Sequence, residues 1–330
     1  MKVSIQLTIL LIFVNLLFYA CGTAYEPSKK DSNSGGIQLK KSEPVQADAT
    51  LETVTWNIEW YGDDDHGPDN EVQQTKNILQ VTDSLKADLY AFEEVYNQET
   101  LDTLTRYMQG YHGFVADYIP YNQRMAFVFN TNTIDSLSSG PIQKVGTLYQ
   151  KNWSYDWASG RLPMYFKFNY TYGNITIPFY AVVIHGKANT GDNEQERSDA
   201  YQRRKEAAKG LYNYLINNEP EANIIILGDY NDDVDVTIYD NTSESPYQPF
   251  VADSDSFRVV TQVLTEAGKS STVQYPNIID HITMSDELFP LYVDGSAAVF
   301  KVSDSFIPSY GNTTSDHFPV WAKFDITKSR

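Results

Sequence analysis

The feature that most constrains this chain is a series of short apolar runs that each end in carboxylate, amide or histidine side chains. In the clearest case, the run from Ile224 to Leu227 is followed closely by Asp229 and Asn231. Such a run is typical of a buried strand, and side chains two positions apart on an extended segment point to the same side. Asp229 and Asn231 can therefore converge on one reacting group, although a plain strand-ending turn explains these residues equally well.

The same pattern recurs along the chain. The polar positions are Asn57 in the strand 53–60, Glu93 and Glu94 after 89–92, Arg161 before 162–168, His185 after 177–184, Asp280 in 278–284, and Asp316 and His317 before 320–324. Each position alone has an ordinary structural explanation, such as a satisfied core amide, a core histidine or a solvated turn. Their repetition at strand ends favours one shared site.

Two of these positions form a candidate pair. His317 follows Asp316 directly, but adjacent residues of an extended segment point apart. Asp280 is therefore the better candidate partner for His317. Histidine suits proton transfer near neutral pH because its ordinary pKa lies there.

Carboxylates gathered at one end of a sheet require a cation. Two of them repel by about 4 kcal/mol at ~4 Å when the effective dielectric constant is ~20. Oxygen ligands from Asp, Glu and Asn suit Mg²⁺, Mn²⁺ or Ca²⁺. The chain has one cysteine and five histidines, which argues against a thiolate or multi-histidine zinc site.

The overall charge limits how a phosphate-bearing substrate can bind. The formal net charge is -18, with 43 acidic and 25 basic residues. Such a chain is a poor non-specific binder of polyanions, so a phosphate must be met locally by a metal and a few cations. Lys187, Arg203 and Arg204 could supply these cations, or the two arginines could form a solvated helix face.

The N-terminus resembles an export signal. Lys2 precedes an apolar stretch over residues 5–18, which is too short for a membrane span, so residues 1–20 are interpreted as a signal peptide. Cys21, the only cysteine, lies where a bacterial lipoprotein signal carries its lipid-modified cysteine. We therefore expect an exported protein, anchored in a bacterial cell envelope at the periplasmic or surface face. A plain secretory signal is the alternative.

The remainder divides into a linker and one domain. Residues 21–50 are rich in Ser, Lys, Gly, Asp and Pro and are predicted to be a flexible tether. Residues 51–330 form one domain, with helices predicted over 72–85, 98–108 and about 196–216. Strands outnumber helices and both are mixed along the chain. That order favours an α/β sandwich over a simple doubly wound sheet.

Several segments together resemble a known family. In order, WNIEW, DLYAFEEV, SGRLPMYFKF, VVIHGKA, IIILGDYND, IDHITMS and TSDHFPV are similar to the successive motifs of the endonuclease/exonuclease/phosphatase superfamily, nearest to its pancreatic-type deoxyribonucleases. The match covers about residues 51 to 326. It implies a four-layered α/β sandwich, in which two packed, mostly antiparallel sheets are flanked by helices. It also implies a hydrolase of phosphodiesters or phosphomonoesters that uses a divalent metal, with Mg²⁺ expected first, and we expect a monomer.

The resemblance also implies a role for each candidate residue. Metal binding falls to Glu94 as main ligand, with Asp316 beside it and Asn57 on metal or phosphate. Catalysis falls to Asp229, which orients the attacking water, to Asn231, which holds the phosphate, to His317, held by Asp280, and to a second histidine, His185. Arg161 is similar to the phosphate-side arginine of the deoxyribonuclease and sphingomyelinase branches.

Two positions depart from the family pattern. Glu93 stands where the family often has Gln. Gln123 stands where the pancreatic-type branch has a Glu that pairs with the second histidine. A glutamine can orient His185 by a hydrogen bond, but it cannot stabilise the charged imidazole as a carboxylate would. The role of His185 as a general acid is therefore less secure than the role of His317.

Three functional hypotheses follow. The first is an extracytoplasmic nuclease that hydrolyses DNA or RNA. The second is a sphingomyelinase-like lipid phosphodiesterase or a sugar-phosphate or inositol-phosphate phosphatase; for the lipid enzyme, the aromatic segment 153–157 could form a membrane-entry hairpin. The third, from another class, is a surface binding protein with a dead site. The presence of every acid, amide and histidine that the resemblance requires argues against it.

Overall fold

A computed structural model describes residues 38–143 and 153–328. The strands are β1 (Thr50–Tyr61), β2 (Leu89–Val95), β3 (Tyr111–Val115), β4 (Arg124–Asn130), β5 (Ile134–Pro141), β6 (Met164–Tyr172), β7 (Ile175–His185), β8 (Ile224–Asp229), β9 (Phe257–Val259), β10 (Asp280–Ser285), β11 (Ala298–Val299) and β12 (Val320–Asp325). The α-helices are α1 (Glu71–Leu85), α2 (Gln98–Thr105), α3 (Trp153–Asp156), α4 (Glu194–Asn218), α5 (Gln248–Ala252), α6 (Gln262–Glu266) and α7 (Tyr310–Thr313).

The described strands form two six-stranded sheets. Their orders are β11-β12-β1-β2-β4-β3 and β5-β6-β7-β8-β10-β9. Only β1 with β2 and β7 with β8 are parallel among the described pairs, and every other neighbouring pair is antiparallel. The expectation of two mostly antiparallel sheets is therefore confirmed.

The layers follow from the two-residue period of the strands. On β2, Leu89 and Ala91 belong to the core between the sheets, whereas Tyr90 and Phe92 belong to a second core that includes α1 and α2 residues. On β8 the alternate residues divide in the same way, between the central core and a third core against α4 and α5. Successive side chains of a strand point to opposite faces, so the segments 89–92 and 224–227, which are buried on both faces, are apolar. The result is the predicted four-layered sandwich.

The helix ends agree with the sequence prediction to within a few residues. Asn70 caps α1, because its side chain accepts a hydrogen bond of 2.7 Å from the backbone of Gln73. The predicted helix over 98–108 ends earlier, since α2 stops at Thr105. The long helix α4 extends two residues beyond the predicted 196–216 at each end.

Part of the predicted tether lies against the domain. The backbone N–H of Ser42 donates to the carbonyl of Tyr107 at 2.9 Å, and Asn132 donates to the carbonyl of Val45 at 3.1 Å. Polar composition led us to expect a free linker up to residue 50, whereas these hydrogen bonds hold its residues 42 and 45 against the domain. The signal peptide, Cys21 and the tether up to residue 37 lie outside the described residues. No helix in the described ranges is long and apolar enough to cross a membrane.

The topology brings the polar strand ends to one edge. In the parallel pairs, Asn57 lies opposite Glu93 and His185 lies opposite Asp229. The antiparallel neighbour β10 begins at this edge, where Asp280 pairs with Asp229. Each sheet therefore contributes its own strand ends to the same place.

A glycine makes this close approach of β7 and β8 possible. Gly228 has φ of 155°, and a Cβ atom there would lie 2.0 Å from the carbonyl oxygen of Ile184. No side chain fits this space without moving the neighbouring backbone. The glycine thereby keeps Asp229 beside His185.

Candidate active site

The strand ends surround a cleft of about 660 Å³. Its lining includes almost every residue that the sequence predicts for the site: Asn57, Glu94, Arg161, His185, Asp229, Asn231, Asp316 and His317. Asp280 is the exception, because it is fully buried behind His317. The structure therefore brings all the predicted site residues of the domain together.

Asp229 is the centre of the arrangement. Its Oδ2 atom accepts hydrogen bonds of 3.2 Å from the side-chain amides of both Asn57 and Asn231. The same oxygen lies 3.4 Å from Nε2 of His185 and 3.9 Å from Nε2 of His317. Burial raises the pKa of Asp229 to about 7. Such a carboxylate can exchange a proton near neutral pH.

Asn231 is oriented by its backbone as well as by its side chain. It has φ of 54°, a left-handed conformation that Asn tolerates better than most residues. Its backbone N–H donates to Oδ1 of Asp229 at 2.8 Å, and its side-chain amide also donates to the carbonyl of Gly186 at 3.3 Å. The amide thus braces Asp229, and its predicted contact with phosphate stays a prediction.

His317 makes the contact that the sequence led us to expect. Its Nδ1 donates to the carboxylate of Asp280 at 2.9 Å, which leaves Nε2 facing the cleft. Burial alone would lower the pKa of His317, but the carboxylates of Asp280 and Asp229 outweigh that effect and hold this pKa well above its ordinary value. His317 is therefore a charged imidazolium at neutral pH.

His185 has the opposite environment. Burial and the nearby Arg161 guanidinium lower the pKa of His185 well below its ordinary value, so the ring is neutral. Its Nδ1 atom is buried and has no hydrogen-bond partner among residues 38–143 and 153–328. Its Nε2 atom faces Asp229 and lies 3.9 Å from Oε1 of Glu94.

The expected hydrogen bond from Gln123 to His185 is wrong. Gln123 instead donates to Oε1 of Glu94 at 2.7 Å and accepts from Arg161 at 3.2 Å. The amide can serve both partners at once because it offers a donor and an acceptor, which a carboxylate at this position would not. Gln123 thus links a predicted metal ligand to the predicted phosphate-side cation.

Arg161 is held by the backbone at the end of β7. It donates from Nε to the carbonyl of His185 at 3.0 Å and from Nη2 to the carbonyl of Gly186 at 2.7 Å. The side chain is buried, and burial lowers the pKa of its guanidinium, although arginine stays charged at neutral pH. A fixed positive charge therefore faces the cleft.

The predicted metal ligands lie close to one another. Glu94 has φ of 62°, and its Oε2 atom accepts a hydrogen bond of 3.2 Å from the backbone of Trp60. Burial raises the pKa of Glu94. Asp316 lies at the mouth of the cleft with a half-exposed side chain. The side-chain Oδ1 atom of Asn57 accepts a hydrogen bond of 3.0 Å from the backbone N–H of Glu59.

The sequence analysis missed Glu59. This residue lines the cleft, and its Oε2 atom accepts a hydrogen bond of 3.0 Å from the backbone of Asp316. Burial, followed by repulsion from Asp316, raises the pKa of Glu59 to about 7. Asn57 and Glu59 are two residues apart in WNIEW, the same spacing that pointed to Asp229 and Asn231. That signal was present in the sequence.

This set of oxygens fits a hard divalent cation. Glu59, Glu94 and Asp316 are neighbouring carboxylates whose mutual repulsion a cation would relieve, and oxygen donors suit Mg²⁺, Mn²⁺ and Ca²⁺. Donor atoms of Asp229, Asp280 and His317 also lie within 4.8 Å of one another, a spacing that could hold a metal. The first group is the better candidate for a cation site, because Nδ1 of His317 already donates to Asp280 in the second group.

Known structures share this architecture. No family model matches the sequence, and no curated protein matches it. Among solved structures, an endonuclease/exonuclease/phosphatase from Bacteroides vulgatus matches at 12% identity with a TM-score of 0.59, covering 84% of this chain and 98% of that one. The chain has the endonuclease/exonuclease/phosphatase fold. The four layers and the two six-stranded sheets described above are those of this fold.

Two other solved structures with the endonuclease/exonuclease/phosphatase fold are a complex with DNA and a phosphatase. Danio rerio TDP2 complexed with a single-strand DNA product matches at 14% identity with a TM-score of 0.53, covering 84% of this chain and 99% of that one. A mannosyl-6-phosphatase from Bacteroides thetaiotaomicron matches at 14% identity with a TM-score of 0.51, covering 82% of this chain and 98% of that one. The shared fold therefore occurs both in a protein that binds a DNA product and in a mannosyl-6-phosphatase.

One further acidic residue, Glu93, is buried near the cleft without lining it. Glu93 is fully buried and accepts a hydrogen bond of 3.0 Å from Thr55, whereas its Oε2 atom has no partner in the described part of the chain. Burial, then the charges of Asp280 and Asp229, raise the pKa of Glu93 well above its ordinary value. Glu93 thus places a buried carboxyl group with a raised pKa close to Asp229 and Asp280.

The other candidate cations are used elsewhere. Arg204 forms a buried ion pair of 2.8 Å with Asp232, and Arg203 stacks over the ring of Tyr155. Neither arginine lines the cleft, and neither is on a solvated face, because both are buried. Lys187 donates to Thr190 at 2.9 Å and also lies outside the lining. Of the described lining residues, Arg161 is the only lysine or arginine.

Proposed function

We propose that the protein is a divalent-metal-dependent hydrolase of phosphate ester bonds, and that phosphodiesters of DNA or RNA are its first candidate substrates. The observation that carries the proposal is the position of Asp229. This carboxylate lies next to two histidines, of which one is charged and the other is neutral. The cleft also holds three further carboxylates and a buried arginine. Phosphate ester hydrolysis requires a base for water and positive charge for the phosphoryl oxygens, and this cleft offers both.

Asp229 is the group we assign to the attacking water. Its pKa of about 7 lets it accept a proton at neutral pH, and the amides of Asn57 and Asn231 hold its carboxylate in one orientation. Glu94, Glu59, Asp316 and Asn57 would hold the metal, which supplies positive charge against the phosphoryl oxygens when it is bound.

The two histidines have different tasks in this proposal. His317 is an imidazolium held by Asp280, so it stabilises negative charge that develops on the phosphoryl group. His185 is neutral, so it serves as a hydrogen-bond donor through Nε2 rather than as a cationic acid. Arg161 adds a fixed charge on the same side as His185.

A second candidate is a phosphatase of phosphorylated sugars. It is favoured by the scarcity of cations, since Arg161 is the only lysine or arginine in the described lining. A polynucleotide carries further phosphates for which the described lining offers no other lysine or arginine, whereas a small ester carries a single phosphate. The mannosyl-6-phosphatase with the same fold adds to this candidate.

The lipid phosphodiesterase loses its main support. Trp153 and Trp157, which the sequence offered as a membrane-entry hairpin, are both buried, and they stack edge to face at 5.6 Å. Tyr155 between them is covered on one ring face by Arg203. This segment therefore packs into the domain and does not offer its tryptophans to a membrane.

The test is turnover with and without metal. Purified protein is incubated with Mg²⁺, Mn²⁺ or Ca²⁺, or with a chelator, on plasmid DNA, RNA, sphingomyelin and a sugar phosphate. We expect metal-dependent hydrolysis that the chelator abolishes, and the preferred ester decides between the candidates. An absence of metal-dependent turnover on all four would overturn both enzyme proposals and favour a binding protein with a dead site.

We further propose that the protein is exported and anchored by a lipid at Cys21. The support is the sequence alone, where an apolar stretch over residues 5–18 precedes the only cysteine. Mass spectrometry of protein from its native membrane should detect acyl chains on an N-terminal Cys21. An unmodified N-terminus would contradict anchoring and leave plain secretion.

A further inference from the structure

Three loops contribute an uncharged part of the cleft. Asn189 and Thr190 follow His185, Ile238 and Asn241 follow Asn231, and Thr272 and Tyr275 precede β10; we call the six side chains Asn189, Thr190, Ile238, Asn241, Thr272 and Tyr275 the neutral lining. None of the side chains that these loops add to the cleft is charged. The neutral lining is thus continuous in sequence with the catalytic strand ends but differs from them in chemistry.

Tyr275 is the most exposed of the large apolar or aromatic residues described. Its relative exposure is 66%. The backbone beneath it is nevertheless fixed, because its N–H donates to Thr272 at 3.0 Å and its carbonyl accepts from Ser270 at 2.6 Å. A rigid support with a solvent-exposed ring is a surface on which another ring can stack at little entropic cost.

The loop that carries Tyr275 is joined to the catalytic histidine. Thr272 forms a β-bridge with His317, and the backbone of Val273 donates to the carbonyl of Asp316 at 2.8 Å. The backbone of Tyr275 is therefore fixed relative to the backbone of His317. A substrate whose phosphate lies at His317 has this loop as its neighbour.

Asn189, which lines the same cleft, carries an unsatisfied polar atom. Its side-chain amide donates weakly to the carbonyl of Ile238 at 3.4 Å. Its Oδ1 atom is buried and has no hydrogen-bond partner within the described ranges. A buried acceptor without a partner is costly, and a hydroxyl or N–H of a ligand would satisfy it.

We propose that the neutral lining binds an uncharged, hydroxyl-bearing ring that carries the scissile phosphate, with the ring stacked on Tyr275 and a hydroxyl or N–H bonded to Asn189. The inference rests on the proposed function and names its substrate class. A nucleoside and a hexose share this chemistry, because both present a ring face and hydroxyl groups without charge. None of these six side chains carries a positive charge for a second phosphate, and the ammonium of Lys187 already donates to Thr190.

The experiment measures binding without turnover. An Asp229→Asn background in Mg²⁺ keeps the proposed metal ligands but removes the carboxylate that orients water. Dissociation constants are measured by calorimetry for inorganic phosphate, thymidine 5′-phosphate and glucose 6-phosphate. We expect at least one ring ester to bind about 10-fold tighter than inorganic phosphate, the size typical of stacking on an aromatic side chain.

Substitutions identify the residues. Tyr275→Ala should remove about 10-fold of the affinity for the ring ester, Tyr275→Phe should keep it, and inorganic phosphate should be unaffected. Asn189→Ala should weaken the ring ester by about 5-fold through the lost hydrogen bond. Tyr172→Ala is the matched control, because this tyrosine is 41% exposed at the end of β6 and does not line the cleft.

A kinetic comparison separates binding from chemistry. The thymidine 5′ ester and the methyl ester of p-nitrophenyl phosphate both release p-nitrophenol, and only the first carries a nucleoside. In the otherwise native enzyme, Tyr275→Ala should raise KM for the thymidine ester by about 10-fold, with kcat within about twofold and no change for the methyl ester.

The outcomes separate this inference from the proposed function. A preference for thymidine 5′-phosphate names a nucleoside, and a preference for glucose 6-phosphate names a sugar. Ring esters that bind no tighter than phosphate, an equal loss for phosphate in Tyr275→Ala, or no binding of any probe would overturn the inference. Ring-dependent binding without any turnover by the native enzyme would overturn the proposed function alone.

Discussion

The two histidines of the cleft come from different sheets and show how the surroundings assign a role. His185 ends β7 and His317 precedes β12, and both present Nε2 within 4 Å of the same oxygen of Asp229, at 3.4 and 3.9 Å. The carboxylate of Asp280 lies behind His317. Arg161 lies near His185, and Nδ1 of His185 has no hydrogen-bond partner among the described residues. The residue type is the same, but one ring is charged and the other is neutral. The group behind the ring decides what the ring can do.

The largest expected effect removes the group that both histidines share. Asp229→Ala should lower kcat/KM by about 10³-fold or more, because the cleft then lacks the carboxylate that orients the attacking water and accepts its proton. Steady-state kinetics with Mg²⁺ measure the effect, and circular dichroism should show an intact fold. Asp286→Ala is the control, because this acid is exposed and does not line the cleft. If Asp229→Ala and His317→Ala both keep nearly full activity, the site is elsewhere.

The next prediction separates the two histidines. His317→Asn should cost about 10² to 10³-fold in kcat/KM, because an amide cannot replace a cation, whereas His185→Asn should cost only about 10-fold, because an amide still donates a neutral hydrogen bond. Both variants are measured with the same ester at the same pH. Equal losses would contradict the assignment of one charged and one neutral ring.

A smaller effect is expected from the group behind His317. Asp280→Asn removes the first of the carboxylates that raise the pKa of His317, so that pKa should fall. The rate should drop by about 10-fold near neutral pH, and the alkaline limb of the pH–rate profile should move to lower pH. An unchanged profile would mean that Asp280 has only a structural role.

The smallest effect concerns stability without metal. Burial raises the pKa of Asp229 and of Glu59 to about 7, and the pKa of His317 is also raised. Raised values favour the protonated form in the folded state, so the stability from these groups is present at low pH and is lost as pH rises towards 7 and beyond. His185 opposes this, because its lowered pKa costs stability as pH falls below about 6.5.

Thermal unfolding of the chelated protein tests this balance. The carboxyl groups and His317 outnumber His185, so we expect a Tm several degrees higher at pH 5 than at pH 8, and we expect Mg²⁺ to raise the Tm at pH 8 much more than at pH 5. A Tm that is independent of metal at both pH values would contradict a cation among Glu59, Glu94 and Asp316.

Much of this arrangement could be predicted because it follows from local patterns. Apolar runs locate the strands, and Asp229 and Asn231 follow from a two-residue spacing. The same two-residue rule, applied to Asn57, also includes Glu59. The pairing of His317 with Asp280 could be inferred from the direction of adjacent side chains.

The partners of Gln123 could not be predicted in this way. Its choice of Glu94 and Arg161 over His185 depends on distances across two sheets that only the packed core sets. The docking of Ser42 and Val45 has the same origin, because backbone groups leave no mark in the sequence. Local patterns thus identify residues, whereas long-range packing decides which atoms meet.

The two sheets each supply half of the cleft, and the aromatic core between them holds the halves in register. Phe127 of β4 and Phe166 of β6, which belong to opposite sheets, pack across this core with ring centroids 5.4 Å apart and ring planes tilted by 39°. A slight slide of one sheet over the other would separate Glu94 from His185 while each sheet stayed folded. We therefore expect catalytic activity to be lost on warming before the secondary structure unfolds. An activity assay would then report loosening of the core between the sheets more sensitively than circular dichroism.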